Sequence, residues 1–569
     1  METAQADVYS RKPWLKFYDD GVPSTTSYPR VSYPEFIREA FEKFPDRAAL
    51  LYMGRTIRFK ELDRLSNKFA HYLLERGCKN GDVIGVHLPN IPASYIAVLG
   101  IQKAGCVFTG VSALLTPEEL EYQLNDAGVA VLVTLDIFFE NVKKITGKTG
   151  IRALVVAKIA DYLPAYKKYL GTMTGKIPHA RIGTIPGIDV SGFSESIAGR
   201  PDDLVLVRVD PDNPCVMMYT GGTTGKPKGA VLTHNNIVHH IIQNNYWLDL
   251  DKGRHVTLCP YPLFHIGGSF IAMGCIASAS TLIAIPNPRD LDFLIHCIKK
   301  YRPTSFLAVP TLYLALMKRE TFRALDFSRV EYFISGSGPF PTEYIKEFEE
   351  LVGNRLIEGY GLTEATTIIA STPFHGMKKT GSVGMPLTDT DVKIVDPDTG
   401  EIVPVGGEGE LMARGPQIFT IGYHNQPEET ARCVIDGWLH TGDVAKMDED
   451  GFFYIVDRIK DMVCVSGFKV FTRVVDDVLI QHPDIDNAAT IGIADPERKG
   501  SEIVASAIVL KSGREKSEDM KRTIIEYMRE RVSPYKVPRV IVFMDSLPLS
   551  PVGKVLKREL RRMLREEKP

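Results

Sequence analysis

The spacing of hydrophobic residues in the N-terminal third changes repeatedly between helical and strand periods. Apolar side chains recur at intervals of three and four residues at Leu62, Leu65, Phe69 and Leu73. This spacing predicts a helix with one buried face, and the run over residues 82–88 predicts the strand that follows it. Thr116-Pro117-Glu118-Glu119 is a capping box with proline at the first helical position, so another helix begins there and precedes a strand over residues 129–133. Such alternation predicts a mostly parallel α/β sheet.

The pattern changes towards the C terminus. Short β-type runs interrupted by Gly and Pro over residues 392–420 predict a compact β unit. The chain becomes strongly charged over residues 457–461, and a new α+β pattern continues from there. We therefore predict an α/β protein with a large N-terminal domain, residues 1–459, of parallel-sheet α/β subdomains plus a small β unit. A small, mobile α+β domain, residues 460–569, follows it. The length of 569 residues is itself too great for one core.

Two stretches raise the question of membrane contact. Residues 266–288 carry no charge, but they contain too much Gly, Ser and Thr for a membrane helix, so we predict a buried helix followed by a buried strand. Residues 143–181 hold nine basic residues and one acid, Asp161, interleaved with Tyr and Leu. This stretch is either a solvated connector, the simpler interpretation, or a weak peripheral contact with an anionic membrane surface.

Composition limits the class of protein. Lys and Arg number 68 against 70 Asp and Glu, a net charge of −2 that argues against a nucleic-acid partner. The eight cysteines form no Cys-x-x-Cys pair, which argues against a zinc site and indicates a reducing, cytoplasmic compartment. Residues 1–11 are polar and predict no signal peptide. The oligomeric state stays open, with a homodimer among the alternatives.

A glycine-rich loop follows the apolar run over residues 215–218. Its sequence is Thr220-Gly221-Gly222-Thr223-Thr224-Gly225-Lys226-Pro227-Lys228-Gly229. Glycines let backbone N–H groups approach an anion, and hydroxyl and ammonium groups complete such a site, so the loop predicts phosphate binding. It is not a Walker A loop, because the GxxxxGK[ST] spacing is absent and Pro227 prevents a helix from beginning after the first lysine. Considered alone, the loop could equally be a flexible surface segment.

The loop resembles the phosphate loop of the acyl-adenylate-forming superfamily, which includes acyl-CoA synthetases, nonribosomal adenylation domains and beetle luciferases. Further stretches match this superfamily in order and approximate spacing: residues 359–364, 437–443, 457–461 and 550–554. Because these motifs agree over nearly the whole chain, it is identified as a member. Gly221, where serine is usual, is a form associated with long-chain fatty-acid–CoA ligases. The resemblance implies activation of a fatty acid by ATP and transfer to CoA.

The resemblance also implies a role for each matched residue. A carboxylate must attack the α-phosphorus of ATP, and cations and N–H donors must offset the repulsion between these two anions. Lys554 matches the lysine that bridges them, Glu364 the residue that holds Mg²⁺, and Thr363 an α-phosphate contact. Asp443 matches the acid that accepts the ribose hydroxyls, with Arg458 in support.

The remaining matches concern adenine, the acyl group and CoA. Tyr360 would lie against adenine, and His265 above the adenylate, although His265 alone is equally consistent with a core histidine. Lys460 matches a hinge about which the small domain swings to present its second face to CoA. The predicted catalytic residues are Lys554, Glu364, Thr220 and His265. The predicted ATP and CoA contacts are Thr220, Gly221, Gly222, Thr223, Thr224, Gly225, Lys228, Gly338, Tyr360, Gly361, Thr363, Asp443, Arg458, Gly467 and Lys469. Thr472 and Val474 replace the family's Pro and Glu, which leaves the CoA-facing surface less defined.

The acid substrate is inferred from charge. Residues 261–288, which the resemblance assigns to the acyl pocket, contain no Asp or Glu. No countercharge therefore awaits an α-ammonium group, which argues against an amino acid. A medium- or long-chain fatty acid is our prediction, and an aryl or branched acid is the alternative within the same chemistry. A non-catalytic nucleotide-binding relative is the alternative from another class, and retention of Glu364, Asp443, Arg458 and Lys554 argues against it.

Overall fold

The structure is a computed structural model that describes residues 8–175, 177–220, 226–248, 252–466, 468–496, 498, 501–550 and 553–566. The strands, in chain order, are β1 (Ala48–Tyr52), β2 (Arg55–Arg58), β3 (Val83–His87), β4 (Val107–Gly110), β5 (Val131–Leu135), β6 (Ala153–Ala157), β7 (Asp189–Gly192), β8 (Pro214–Thr220), β9 (Lys228–Thr233), β10 (Val256–Leu258), β11 (Thr281–Ile283), β12 (Ser305–Ala308), β13 (Tyr332–Ser335), β14 (Leu356–Tyr360), β15 (Ala370–Ser371), β16 (Met385–Pro386), β17 (Asp391–Val395), β18 (Gly409–Arg414), β19 (Gly422–Tyr423), β20 (Val434–Ile435), β21 (Trp438–Met447), β22 (Phe453–Arg458), β23 (Val463–Val465), β24 (Phe468–Val470), β25 (Ile485–Ala494), β26 (Glu502–Leu510) and β27 (Val540–Phe543).

The helices, in chain order, are α1 (Tyr33–Phe36), α2 (Arg38–Lys43), α3 (Phe59–Glu75), α4 (Pro92–Lys103), α5 (Pro117–Asp126), α6 (Phe139–Thr146), α7 (Ala165–Met173), α8 (Phe193–Ile197), α9 (His234–Trp247), α10 (Ile266–Ala277), α11 (Leu291–Tyr301), α12 (Pro310–Met317), α13 (Glu320–Arg323), α14 (Thr342–Val352), α15 (Pro427–Cys433), α16 (Thr472–Ile480), α17 (Glu518–Arg529) and α18 (Lys557–Glu566). Among the described residues, no helix is long and apolar enough to span a membrane.

Two large sheets make up most of the N-terminal domain. The first has the order β19-β9-β8-β4-β3-β5-β6-β7, and the strands from β8 to β7 are parallel. The second has the order β16-β15-β14-β13-β12-β10-β11-β1-β2, and the strands from β14 to β1 are parallel. One hydrophobic cluster contains residues of both sheets, including Leu50 and Val133. The two sheets therefore share a core, and the predicted α/β class is confirmed.

Two smaller units complete the chain. Strands β17, β18, β20, β21 and β22 form the predicted β unit, which is larger than the run over residues 392–420 suggested. The C-terminal part contains the sheet β25-β26-β27 and the hairpin β23-β24, with α16 and α17 packed on a core that includes Val475, Ile508 and Ile524. This is the predicted small α+β domain. A boundary at residue 460 stays a prediction, as does the mobility of this domain.

Several local predictions are confirmed with their physical causes. Helix α3 buries Leu62, Phe69 and Leu73 on one face. The capping box before α5 is formed, since the Thr116 hydroxyl accepts from Glu119 N and the Glu119 carboxylate accepts from Thr116 N. The uncharged residues 266–288 form the buried helix α10 and the buried strand β11.

The stretch over residues 143–181 is not the plain solvated connector that the simpler interpretation predicted. It contributes β6, whose five residues are all buried in the first sheet, because the run Ala-Leu-Val-Val-Ala suits a central parallel strand. It also contributes α7, which carries four large apolar side chains with more than half their surface exposed: Tyr166, Tyr169, Leu170 and Met173. The basic character of the stretch concealed a folded element and an apolar surface.

Candidate active site

The predicted site residues gather where parallel strands end. In the second sheet, the carboxyl ends of β10, β12, β13 and β14 lead into residues 261–265, 309–313, 336–338 and 361–364. In the first sheet, β8 ends at Thr220, where the glycine-rich loop begins. Open α/β sheets bind ligands outside the carboxyl ends of their strands. The topology therefore assembles one cleft from segments that are far apart in the sequence.

The glycine-rich loop closes a β-hairpin. Thr220 and Lys228 are directly opposite each other in the antiparallel pair of β8 and β9. Gly221, Gly222, Thr223, Thr224 and Gly225 lie outside the described residues. Helix α5 fixes Pro227, because the Pro227 carbonyl accepts a 3.1 Å hydrogen bond from the Tyr122 hydroxyl of that helix. The two strands thus fix Thr220 and Lys228 on either side of the undescribed residues.

The turn after β14 holds Glu364 through partners on other segments. Glu364 is 9% exposed, and its carboxylate accepts a hydrogen bond from the Tyr423 hydroxyl of β19. The Lys228 amine lies 5.2 Å from the centre of the Tyr423 ring and pairs with Glu429 of α15. Burial and the negative charge of Glu364 raise the pKa of Tyr423 above its usual value, so its hydroxyl stays a donor. Glu364 and the loop lysine therefore contact the same aromatic ring.

Gly361 is required by this turn. A Cβ atom at Gly361 would lie 1.5 Å from the carbonyl oxygen of Thr367. The chain therefore folds back onto Gly361 immediately after the segment that carries Thr363 and Glu364, and no larger residue fits there.

Asp443 is the centre of a second polar cluster. It is 3% exposed, and its two carboxylate oxygens are bound by the Tyr360 hydroxyl at 2.7 Å and by Nε of Arg458 at 2.9 Å. Asp443 and Arg458 are opposite each other in the pair of β21 and β22, so the strand register brings them together. The Asp443 charge raises the pKa of Arg458. Tyr360, at the end of β14, joins this cluster to the Glu364 turn.

Lys554 reaches the same cleft from the small domain. It stands on a tight turn in which Ser550 N donates to the Lys554 carbonyl at 2.7 Å and Gly553 N donates to the Ser550 carbonyl. The turn lies against the large domain, since a Cβ at Gly553 would be 2.3 Å from Oγ1 of Thr311, just beyond β12. Lys554 is an exposed residue as a whole. Desolvation of its amine and the charge of Arg458 lower the pKa of Lys554 to about 8.

His265 caps helix α10. Its Nδ1 accepts a 3.1 Å hydrogen bond from Gly267 N. Burial, together with the positive charge of Lys554, lowers the pKa of His265 to about 3, so the ring is neutral. The neutral ring with Nδ1 as acceptor carries its proton on Nε2. His265 is only partly exposed and is held by the start of α10, and its Nε2 is left as a donor, so both alternatives for this residue stay predictions.

Comparison with known protein families identifies the chain. A model described as "AMP-binding enzyme" matches residues 37–424, and one described as "AMP-binding enzyme C-terminal domain" matches residues 474–554. The chain belongs to the AMP-binding enzyme family. A long-chain-fatty-acid–CoA ligase of Bacillus subtilis (strain 168) is 34% identical over 562 residues, covering 98% of each chain. One from Escherichia coli O157:H7 is also 34% identical, over 97% of this chain and 98% of the relative.

Solved structures share the fold of this AMP-binding enzyme. The anthranilate CoA ligase AuaEII in complex with anthranoyl-AMP superimposes with a TM-score of 0.83 at 25% identity, over 94% of this chain and 98% of that one. MatB from Rhodopseudomonas palustris superimposes with a TM-score of 0.81 in its ATP-bound form and 0.70 in its apo form, at 24% and 25% identity, each over 94% of this chain and 99% of MatB.

Some predicted site residues of this AMP-binding enzyme lie away from Glu364, Asp443 and Lys554, and others lie outside the described residues. Lys469 pairs with Asp398 at 3.0 Å, across the domain boundary. Gly338 is exposed in the turn after β13, and Gly467 lies outside the described residues. Thr472, one of the departures from the family pattern, donates from its N–H and its hydroxyl to Asp457. Threonine here ties the start of α16 to the last strand of the large domain.

Sequence reasoning missed the partners of the phosphate-loop lysine and of Glu364. Tyr423 and Glu429 flank Pro427, and proline at a helix start was the one local signal in this segment. Nothing in the linear sequence relates Tyr423 to Glu364 or Glu429 to Lys228.

The residues around Glu364 fit a magnesium–nucleotide complex. Among the described residues, no group of three or more His, Cys, Asp or Glu side chains is arranged to hold a metal ion alone. Mg²⁺ commonly uses one or two carboxylates and takes its other ligands from water and substrate phosphates. One buried carboxylate beside a phosphate-loop lysine supplies that donor set. Glu364 is the residue that would hold the ion.

Proposed function

We propose that this protein activates a fatty acid with ATP, forming acyl-adenylate and pyrophosphate, and then transfers the acyl group to CoA, releasing AMP. The observation that carries the proposal is the position of the Lys554 amine, on a turn docked against the large domain and facing Asp443 and Glu364. Full-length similarity to long-chain-fatty-acid–CoA ligases supports the substrate class.

In the first step, a carboxylate oxygen attacks the α-phosphorus and the bond to pyrophosphate breaks. Lys554 offsets the negative charge that accumulates between the two anions, which lowers the barrier most where the charge is greatest. Asp443 would accept the ribose hydroxyls and Tyr360 would face adenine, while Thr220 and Lys228 would lie beside the phosphates. Glu364 would hold Mg²⁺, which would supply further charge neutralisation.

In the second step, the CoA sulfur attacks the acyl carbonyl and AMP leaves. Lys554 is not needed at the carbonyl, so its turn can withdraw as the small domain rotates about Lys460. Two exposed ion pairs help to hold the present orientation: Lys318–Asp486 at 2.6 Å and Lys469–Asp398 at 3.0 Å. Ion pairs this exposed contribute about 0–1 kcal/mol each, so they do not prevent rotation.

An apolar environment beside the reaction centre supports an aliphatic substrate. Helix α10 runs inward from His265, and side chains of α4 and α10 enclose a small cavity between the two helices. Apart from the hydroxyls of two residues, Tyr95 and Ser269, its lining is apolar: Tyr95, Val98, Leu99, Leu263, Ser269, Ala272, Met273 and Ile276. No carboxylate lies in it to receive an ammonium group. The cavity has a volume of only about 10 Å³, so these side chains would have to move apart for a hydrocarbon chain to extend along this helix.

The direct test is pyrophosphate release with a panel of acids. Saturated acids from C4 to C18, aromatic acids, a branched acid and amino acids would be compared with and without CoA. We expect activity to rise with chain length and acyl-CoA to form only when CoA is present. Preference for an aromatic or branched acid would instead assign the alternative ligase, and absence of turnover with every acid would favour a non-catalytic nucleotide-binding relative.

The pH dependence of adenylation should report the ionisation of Lys554. Its amine is cationic below its pKa of about 8 in the free enzyme, so kcat/KM should fall as pH rises through that value. Bound anions favour the cation, so the fall in kcat should come at higher pH. Lys554→Arg should be slower but lack the alkaline fall, because guanidinium does not lose its proton in this range. A wild-type kcat/KM profile that stays flat beyond pH 9 would contradict the assignment.

We also propose that this enzyme is cytoplasmic and makes a weak peripheral contact with a membrane, since long fatty acids partition into bilayers. Tyr166, Tyr169, Leu170 and Met173 recur at intervals of three and four residues, so they share one side of α7. Several bases of the segment are engaged by the protein: Lys143 with Glu140, Lys148 with Glu121, and Lys167 with the Met53 carbonyl. The apolar face of α7 therefore matters more for this contact than the net charge of residues 143–181.

Vesicle sedimentation tests this contact. The protein should co-sediment with anionic vesicles at low salt. The double variant Leu170→Ser with Met173→Ser should reduce the bound fraction by about tenfold, because serine buries much less apolar surface in lipid than leucine or methionine does. Ile435→Ser, which changes a comparably exposed residue on β20, is the matched control and should bind normally. Equal binding by both variants, or none by the wild type, would leave α7 as a soluble surface helix.

A further inference from the structure

The turn that carries Glu364 is held in an unfavourable backbone conformation. Thr366, two residues after Glu364, has φ of +59°, in the left-handed region that β-branched residues avoid. Such a conformation persists only where surrounding contacts impose it. The Thr366 hydroxyl donates to the Gln417 carbonyl at 2.7 Å, and Phe419 N donates to the Glu364 carbonyl at 2.8 Å. Two further contacts of this segment, at Thr367 and Ile368, are made with one side chain, His240.

His240 is fully buried on α9, the helix that follows the phosphate-loop hairpin. Its Nε2 accepts from Ile368 N at 3.1 Å and lies 2.9 Å from the Thr367 hydroxyl. A backbone N–H can only donate, so Nε2 must be the unprotonated nitrogen and Nδ1 must carry the proton. The His240 ring therefore acts as a hydrogen-bond acceptor for the segment immediately after the strained residue.

A second set of hydrogen bonds maintains this tautomer. Nδ1 of His240 donates to Oε1 of Gln243 at 2.9 Å, and Nε2 of Gln243 donates to the Thr388 carbonyl at 2.6 Å. The carbonyl sets the orientation of the Gln243 amide, and the amide sets the protonated nitrogen of His240. The ring also packs against Phe270 of α10, with centroids 4.5 Å apart. His240 thus connects three parts of the candidate site: α9, which follows the phosphate-loop hairpin, α10, which borders the predicted acyl pocket, and the turn that carries Glu364.

We propose that His240 is a positioning residue for adenylation, which holds the 366–368 turn so that Glu364 and Thr363 face the nucleotide. The inference rests on the proposed function, because it concerns the magnesium–ATP role proposed for Glu364. Residues that orient a metal-holding group typically change metal affinity or activity by about 10–100-fold when replaced. The magnitude expected for His240 is of this order.

His240→Phe is the informative variant. It keeps a ring against Phe270 and removes both nitrogens, which leaves Ile368 N–H without its acceptor. We expect pyrophosphate formation to fall about 10–100-fold, and the Mg²⁺ concentration that half-saturates ATP binding, measured by calorimetry without turnover, to rise by a similar factor. Thioester formation from supplied acyl-adenylate should be nearly unchanged, because Glu364 is not needed there.

A rescue variant and a control separate positioning from general stability. His240→Gln should recover most of the loss, since its amide oxygen can reach the position of Nε2 and accept from Ile368 N. His239→Phe is the matched control: His239 packs against Tyr28 with centroids 4.6 Å apart and has no contact with the turn, so it should behave as wild type. Equal loss of both half-reactions in His240→Phe, without rescue by glutamine, would show a structural role only and overturn the inference.

Glu364→Gln distinguishes failure of the inference from failure of the proposed function. If this variant adenylates normally with unchanged Mg²⁺ dependence, the role proposed for Glu364 is wrong. If it is impaired while His240→Phe keeps the wild-type Mg²⁺ dependence, the role of Glu364 stands and that of His240 is overturned.

Discussion

Lys554→Ala should reduce acyl-adenylate formation by about 10²–10³-fold or more, the range observed when one preorganised stabilising group is lost from a transition state. The Lys554 amine is the cation that the small domain brings to the cleft, next to Asp443 and Arg458. Without it, the two anions meet with less compensating charge. Transfer of the acyl group from supplied acyl-adenylate to CoA should be nearly intact, because in that step the CoA sulfur attacks the acyl carbonyl and no carboxylate has to approach the α-phosphate. Single-turnover measurements of the two half-reactions check this expectation.

Arg558→Ala is the matched control for that experiment. It removes a neighbouring cation from the exposed surface of α18, four residues from Lys554. Both half-reactions should proceed normally in this variant, and thermal unfolding of both variants should match the wild type. Comparable losses of Lys554→Ala in both half-reactions would contradict the assignment.

Lys460→Pro should have the opposite effect. Lys460 lies in the 3₁₀ turn Ile459–Asp461 between the last strand of the large domain and the first of the small domain. Proline fixes φ near −65°, which a 3₁₀ turn accepts, so the present orientation should be retained and rotation away from it impeded. Adenylation should stay within a few-fold of wild type, while CoA transfer should fall about 100-fold, as expected when reacting groups are misplaced by about 1 Å or more.

Lys460→Ala separates the backbone from the side chain in this test. It removes the ammonium group but leaves φ unrestricted, so CoA transfer should be largely retained. Rapid CoA transfer by Lys460→Pro in single-turnover experiments would show that the domains rotate about another position. Equal impairment by alanine and proline would assign the effect to the charge of Lys460 instead of to the hinge.

The order of elements was largely predictable because local signals determine it. The helical spacing from Leu62 to Leu73 and the capping box at Thr116 are properties of adjacent residues, and both elements formed where predicted. Residues 143–181 show the limit of such reasoning. Their charge suggested a connector, but β6 is buried because it pairs with β5, a contact that no local pattern specifies.

The same distinction between local signals and long-range contacts applies to the candidate site. The sequence by itself determined which chemical groups are present: a glycine-rich loop, two separated acids, an arginine at the end of the last large-domain strand and a lysine near the C terminus. Local composition identifies these groups because phosphate and carboxylate chemistry requires particular residue types at short spacing. Only the tertiary structure decided their partners, since Asp443 meets Tyr360 across 83 residues, Glu364 meets Tyr423 across 59, and His240 meets Ile368 across 128. Those contacts follow from strand register and helix packing over the whole chain, which is why the sequence predicted the reacting groups and only the fold revealed the residues that hold them.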